Sequence, residues 1–229
     1  MDLLGMLQSQ LTPDIINELS NQVGATPQQT QVASQGAISA LLTGLANNAK
    51  TEQGANDLHS ALDIHDGSIL NNLMGLVTGN AQNANPNTLN GDGILSHILG
   101  NNQDNAAQVI SHMSGVPQSG VSDILSKLAP MVMGLLGQVK GSNGLDAGGL
   151  ASILMGAVSG QGSNPIMQVL SHVLGGSGGG GLGNILGSVL GGGNVQQGQQ
   201  AQQQSPQGGG ILDDLMRKVG GSILGNILK

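Results

Sequence analysis

Five histidines are the side chains of this 229-residue sequence best suited to chemistry, because imidazole serves both as a general base and as a metal ligand near neutral pH. Three of them repeat one local frame: Leu95-Ser96-His97-Ile98-Leu99-Gly100, Ile110-Ser111-His112-Met113-Ser114-Gly115 and Leu170-Ser171-His172-Val173-Leu174-Gly175. Each stands shortly before a glycine. A histidine in the last turn of a helix, ahead of a glycine cap, meets the terminal carbonyls and the negative end of the helix dipole. The frame therefore reads as a helix-ending signal in preference to a catalytic set. His59 and Asp63 are four residues apart and share a helix face, with His65 just beyond. A metal centre needs three or four converging ligands with supporting partners, and the spacing marks no third one. A hydrolase or metal enzyme would require His59, His65, His97 or His112 to meet in one pocket.

Other chemistries find no motif. There is no cysteine, which removes thiol catalysis and thiolate metal sites. No G-x-S-x-G elbow and no Walker A loop occurs. Gly178, Gly180 and Gly183 match G-x-G-x-x-G formally, but inside a glycine run with no strand before it. Asp66-Gly67 and Asp92-Gly93 lack the alternating ligands and closing glutamate of a calcium loop. Asp213 and Asp214 are adjacent, so on a helix they point apart and favour its N-terminus. No catalytic residue, cofactor-binding residue or metal ligand is assigned, and the chain reads as a non-enzyme without a cofactor.

Composition narrows the partners. Phe, Tyr and Trp are absent, which excludes base-stacking platforms, cation–π cages and interfacial aromatic belts. The core must be built from Leu, Ile, Val, Met and Ala. Residues 1–160 carry 11 acidic and 3 basic side chains, and residues 161–229 carry 2 and 3. An acidic chain with no basic patch implies no nucleic-acid partner, since phosphate neutralisation supplies most such affinity. No apolar run approaches the ~20 residues of a spanning helix, so no transmembrane segment is expected. The opening MDLLGMLQSQ has no basic n-region and no cleavage site. Cytoplasmic location is the expectation, with leaderless export left open.

The elements that must position these residues are helices. Apolar residues recur at helical spacing almost throughout, and no alternating strand is found. Thr12-Pro13 reads as an N-cap followed by proline at the first helical position, with Ile15, Ile16, Leu19 and Val23 on one face and Gly24 as the stop. Thr26-Pro27-Gln28-Gln29 starts a second helix with a capping box, whose stripe is Val32, Ile38, Leu41, Leu42, Leu45 and Ala49. A third helix is expected over Asn56–Leu62, and a fourth after Asp66-Gly67 through Ile69, Leu70, Leu73, Met74 and Val77. Residues 79–92 are rich in Asn and Gly and read as a linker.

Beyond the linker the pattern restarts, with a short helix at Ile94–Leu99 and Asp104 able to cap the next one. A long helix follows Gly115-Val116-Pro117, where Pro130 should introduce a kink. Helices over Asp146–Val158 and Pro165–Leu174 complete the set. Pro27 and Pro117, Lys50 and Lys140, and Gly54 and Gly144 are each ninety apart, so the reading is an all-α fold of two tandem four-helix repeat units, 1–78 and 93–175, that stack to share a core.

After residue 175 the composition changes. Residues 176–210 form a Gly/Gln-rich low-complexity region of flexible type, interrupted by the apolar Leu182–Leu190. Residues 211–229 read as an amphipathic helix. Its candidate interaction face is Leu212, Leu215, Met216, Val219, Ile223 and Ile227, opposed by Asp213, Asp214, Arg217 and Lys218; such a stripe docks on the protein's own body, the commonest fate of an amphipathic helix, joins another copy or partner, or lies on a membrane surface. The string LGNIL stands at both 182–186 and 224–228. Gly183, Gly187 and Gly191 are spaced by four, as are Gly221 and Gly225, a spacing that permits close helix approach.

Several strings carry a family resemblance. Asp92-Gly93-Ile94-Leu95-Ser96-His97-Ile98-Leu99-Gly100, then Ser114-Gly115-Val116, then Leu128-Ala129-Pro130-Met131-Val132-Met133-Gly134 resemble the bacterial family catalogued as domain of unknown function 937. Val23-Gly24-Ala25-Thr26-Pro27-Gln28-Gln29 is similar to the related YidB-like sequences. The resemblance spans roughly residues 1–175. It implies an all-helical bacterial protein and brings no activity or active-site residue with it.

Together these readings point to a non-catalytic structural or interaction protein, with a homo-oligomer or a protein partner engaged through the C-terminal segments. The alternative is a peripheral membrane or envelope-associated factor in weak contact with a membrane surface, for which only Arg217, Lys218 and Lys229 supply positive charge near the stripe.

Overall fold

A computed structural model describes residues 3–81, 86–159 and Leu174. Ten α-helices run in order among the described residues: α1 Leu3–Gln10, α2 Pro13–Val23, α3 Pro27–Asn48, α4 Glu52–Ala61, α5 Leu73–Thr78, α6 Pro86–Leu89, α7 Gly91–Leu99, α8 Gln103–Ser114, α9 Gln118–Asn143 and α10 Ala147–Ser159. No strand occurs among these residues, so the all-α expectation holds.

The helix ends follow local chemistry. The Thr12 hydroxyl accepts from Ile15 N, Pro13 opens α2, and Gly24 closes it at φ +66°. Thr26 and Gln29 form the full capping box that opens α3, each side chain bonding the other's backbone. Thr51 caps α4 by accepting from Gly54 N at 3.1 Å. Asp104, expected as a cap, instead lies within the first turn of α8, which follows a 3-10 turn at Gly100–Asn102. Asp146 Oδ1 accepts from Gly149 N at 2.7 Å and caps α10.

Two long helices carry the centre. α3 and α9 pack against each other, α3 also against α2, α7, α8 and α10, and α9 against α2, α7 and α8. Both are buried almost all round over their middle turns, Gly36–Ala46 and Leu128–Gly137. A helix surrounded by others needs no polar face, and small residues such as Ala33, Ala37, Gly44 and Gly134 let the neighbours approach. Gly44 is an example, because a Cβ there would come within 2.8 Å of Ile98 Cγ2 and Leu99 Cδ2 on α7. By length and composition α9 could cross a membrane, but 78% of its apolar window is buried inside this protein, as a core helix requires.

Some expectations are corrected. Val32 was placed on the apolar stripe but is exposed, and the burial passes to Ala33, Ser34 and Ala37. Met74 is likewise exposed. The fourth helix begins as a 3-10 turn, Ser68–Asn72, before α5. Residues 79–92, read as linker, hold α6 and the start of α7, with 82–85 outside the described residues. Helix α1 was not anticipated, although Leu3, Leu4 and Leu7 are buried in the core. The helix expected at Pro165–Leu174 lies outside the described residues except for Leu174.

Candidate functional site

A cleft of about 970 Å³ opens among the described residues. The end of α3 supplies Leu45, Asn47 and Asn48. Helix α4 supplies Gln53, Asp57, Leu58 and Ala61, and the turn after it supplies Ile64 and His65. Helix α7 supplies Ile94, His97 and Ile98, and α9 supplies the buried Met133. The lining combines apolar side chains with several side-chain amides.

The amides of the lining and the Thr51 hydroxyl already have partners within the fold. Asn48 Nδ2 donates to the carbonyls of His97 and Ile98, at 3.0 and 3.2 Å, and satisfies the open end of α7. Asn90 Oδ1 accepts from Gly93 N at 3.0 Å and starts the same helix. Gln53 Nε2 donates to Asp57 Oδ1 at 2.8 Å. Asn47 Nδ2 donates to the Leu174 carbonyl at 3.3 Å. Asp57 is the one carboxylate among the described lining residues, and no Lys or Arg lines the cleft there.

Two of the five histidines line this cleft. His97 sits exposed in the last turn of α7, ahead of Gly100. His65 is 5% exposed, and its Nδ1 is buried without a hydrogen-bond partner. The cause of its burial is the approach of its backbone to α9. A Cβ on Gly137 would fall on the His65 carbonyl, and Gly67, at φ +84°, packs on Gln138 and Gly134. Burial lowers the His65 pKa below the ordinary 6.5, against a smaller raising effect from Asp66. Asp66 is itself held below the usual carboxylate value by its hydrogen bonds to Ser68, whose N–H lies 2.9 Å away.

The other sequence candidates are dispersed. His59 faces away from the cleft, its Nε2 3.2 Å from the Leu145 carbonyl. Asp63 is taken by Lys140, whose Nζ donates to Asp63 Oδ1 at 2.6 Å and to the His59 carbonyl at 2.7 Å. The hydrogen bond from Lys140, more than its charge, lowers the Asp63 pKa. His112 ends α8 before Gly115, in the helix-ending position that its frame implies. Among the described residues no group of three or more His, Asp or Glu converges as a metal site. His172 and the face of Leu212, Leu215, Met216, Val219, Ile223 and Ile227 lie outside the described residues. Lys140 as the partner of Asp63 escaped the sequence reading, which paired His59 with Asp63 by spacing; no local signal joins residues 77 apart.

The family model of the bacterial protein of unknown function DUF937 matches residues 5–139, more than half of the chain. The chain belongs to this family. Every lining residue of the cleft named above falls inside the DUF937 region. No curated protein and no solved structure matches the chain.

Proposed function

We propose that this DUF937 member is a non-catalytic interaction protein that self-associates through its C-terminal segments. The observation that carries the reading is the state of the cleft's polar groups. Asn47, Asn48, Asn90, Gln53 and Asp57 are engaged in capping and bracing the chain, so the concavity offers apolar surface in place of a reactive set. Binding surfaces have this character, whereas catalysis needs a nucleophile, a base and an orienting group in mutual reach. The apolar stripe Leu212, Leu215, Met216, Val219, Ile223 and Ile227 supplies the associating face.

The body is read as two tandem units. Support comes from helix lengths: α1 to α4 have 8, 11, 22 and 10 residues, and α7 to α10 have 9, 12, 26 and 13. The starts of α2 and α8, Pro13 and Gln103, are ninety residues apart.

Sedimentation velocity of the full chain and of residues 1–191, with interference optics because no aromatic side chain absorbs, tests the reading. The full chain is expected to sediment faster as concentration rises, while 1–191 does not. Equal behaviour of the two overturns self-association through 211–229. Co-sedimentation of a monomeric full chain with anionic vesicles would replace it by the membrane-surface alternative.

A further inference from the structure

Leu174, the last described residue, lies beside the cleft. Leu174 is 8% exposed and packs in the hydrophobic core. Its carbonyl accepts from Asn47, which also lines the cleft. A smaller hollow of about 260 Å³ lies between Leu174 and the end of α7 and shares Asn47, Asn48, His97 and Ile98 with the cleft. The wall of the cleft therefore already receives main chain from this region of the sequence.

The residues that follow match what the cleft lacks. Positions 175–181 are six glycines and a serine, and then comes Leu182-Gly183-Asn184-Ile185-Leu186-Gly187-Ser188-Val189-Leu190. Leu182, Ile185, Leu186, Val189 and Leu190 stand at i, i+3, i+4, i+7 and i+8, the spacing of one apolar helix face. The segment has no charged residue, and the cleft carries one acidic side chain, Asp57, and no Lys or Arg among its described lining residues. As a helix, nine residues span about 13 Å. Eight peptide steps from Leu174 to Leu182 reach at most about 28 Å, so the tether holds the segment near the cleft at an effective concentration of order millimolar or above. Ile64 lines the cleft and is 52% exposed, so it is open to contact from such a segment.

We propose that Leu182–Leu190 docks as a short helix in the cleft of its own chain, against Ile64, Leu58, Ile94 and Met133. The proposal stands apart from self-association, which uses residues 211–229.

The absence of cysteine makes a clean test possible in the full chain. The variant pair Ile64→Cys with Leu186→Cys, oxidised mildly at high dilution, is expected to give an intramolecular disulfide. Its yield should exceed by about tenfold that of Met74→Cys with Leu186→Cys, because tethered binding concentrates the thiol at one site only; Met74 is exposed and does not line the cleft. Equal yields overturn the proposal. Intermolecular disulfides in place of the intramolecular one overturn it in favour of a second copy as the occupant. As a second readout, Leu186→Asp is expected to shift the methyl resonances of Ile64, Ile94 and Met133 while leaving Ile15 and Ile124 in place. Unmoved cleft methyls overturn the proposal.

Discussion

The carbonyl of His65 occupies the position that a Cβ on Gly137 would take. This one approach seats the turn after α4 on the central helix, buries the His65 ring and shapes one wall of the cleft. The neighbouring atom is backbone, so it cannot swing aside. Gly137→Ala is therefore expected to destabilise the protein by about 1–3 kcal/mol, as overpacking in a close-packed interior does. Urea unfolding followed by circular dichroism at the helical band measures it. A loss below about 0.5 kcal/mol would mean that the turn can lift off α9, and the wall of the cleft with it.

A second close approach explains a glycine at the start of α7. Pro130 lies inside α9 and has no N–H to give the Ser126 carbonyl four residues earlier. Gly91 packs its backbone on that same carbonyl, where any Cβ would collide with it. Gly91→Ala is expected to cost about 1–3 kcal/mol, with the loosening seen as faster amide exchange through Ile94–Ile98. Unchanged exchange in α7 would show that the helix is anchored elsewhere.

How much of this was legible in the sequence depends on range. Caps are local, so Thr12, Thr26 with Gln29, and Gly24 could be read directly, and all three stand as expected. The histidine frames of His97 and His112 were legible for the same reason. The buried face of α3 was not. A stripe of large apolar residues takes in Val32, whereas the first turns of α3 turn the small Ala33, Ser34 and Ala37 inward and leave Val32 exposed, and all-round burial begins only at Gly36. The cleft joins residues 45–65 to 90–98 and 133, and the burial of His65 follows from a glycine seventy-two positions away. No pattern of period 3.6 encodes such a meeting. The local trace of α1 in the sequence is Leu3, Leu4 and Leu7, a stripe too short to mark a helix by itself until the core buries it.

Lys140 ties α9 to the end of α4. Its ammonium donates to the His59 carbonyl and to Asp63, and its side chain is 11% exposed against 69% for Asp63. Removing the lysine leaves a terminal carbonyl of α4 without that donor and strips a buried stem, whereas removing the aspartate leaves the carbonyl bond intact. Lys140→Ala is expected to lose about 1–3 kcal/mol, and Asp63→Asn much less, since an exposed partner is well solvated. Chemical denaturation of both variants gives the ranking. Equal losses would mean that the ion pair, and not the carbonyl contact, is what holds α4.

His65 should give the protein a pH dependence in a window of its own. Burial lowers its pKa in the folded state below the ordinary 6.5, so on acidification the unfolded chain takes up the proton first. The unfolded state then binds more protons, and stability falls as pH drops below about 6.5, levelling once the folded-state pKa is passed. Asp66 beside the ring works against the shift, but Asp66 and Asp63 are held ionised below 3.8 and stay charged across this range. Asp57, on α4, is the one carboxylate among the described lining residues of the cleft. His65→Leu removes both the titration and the unpartnered Nδ1, so its stability at pH 5 relative to pH 7.5 should fall less than that of the parent. Melting curves at the two pH values decide the matter. Parallel losses in parent and variant would assign the acid sensitivity to other groups and show that the His65 ring is solvated when the protein is folded.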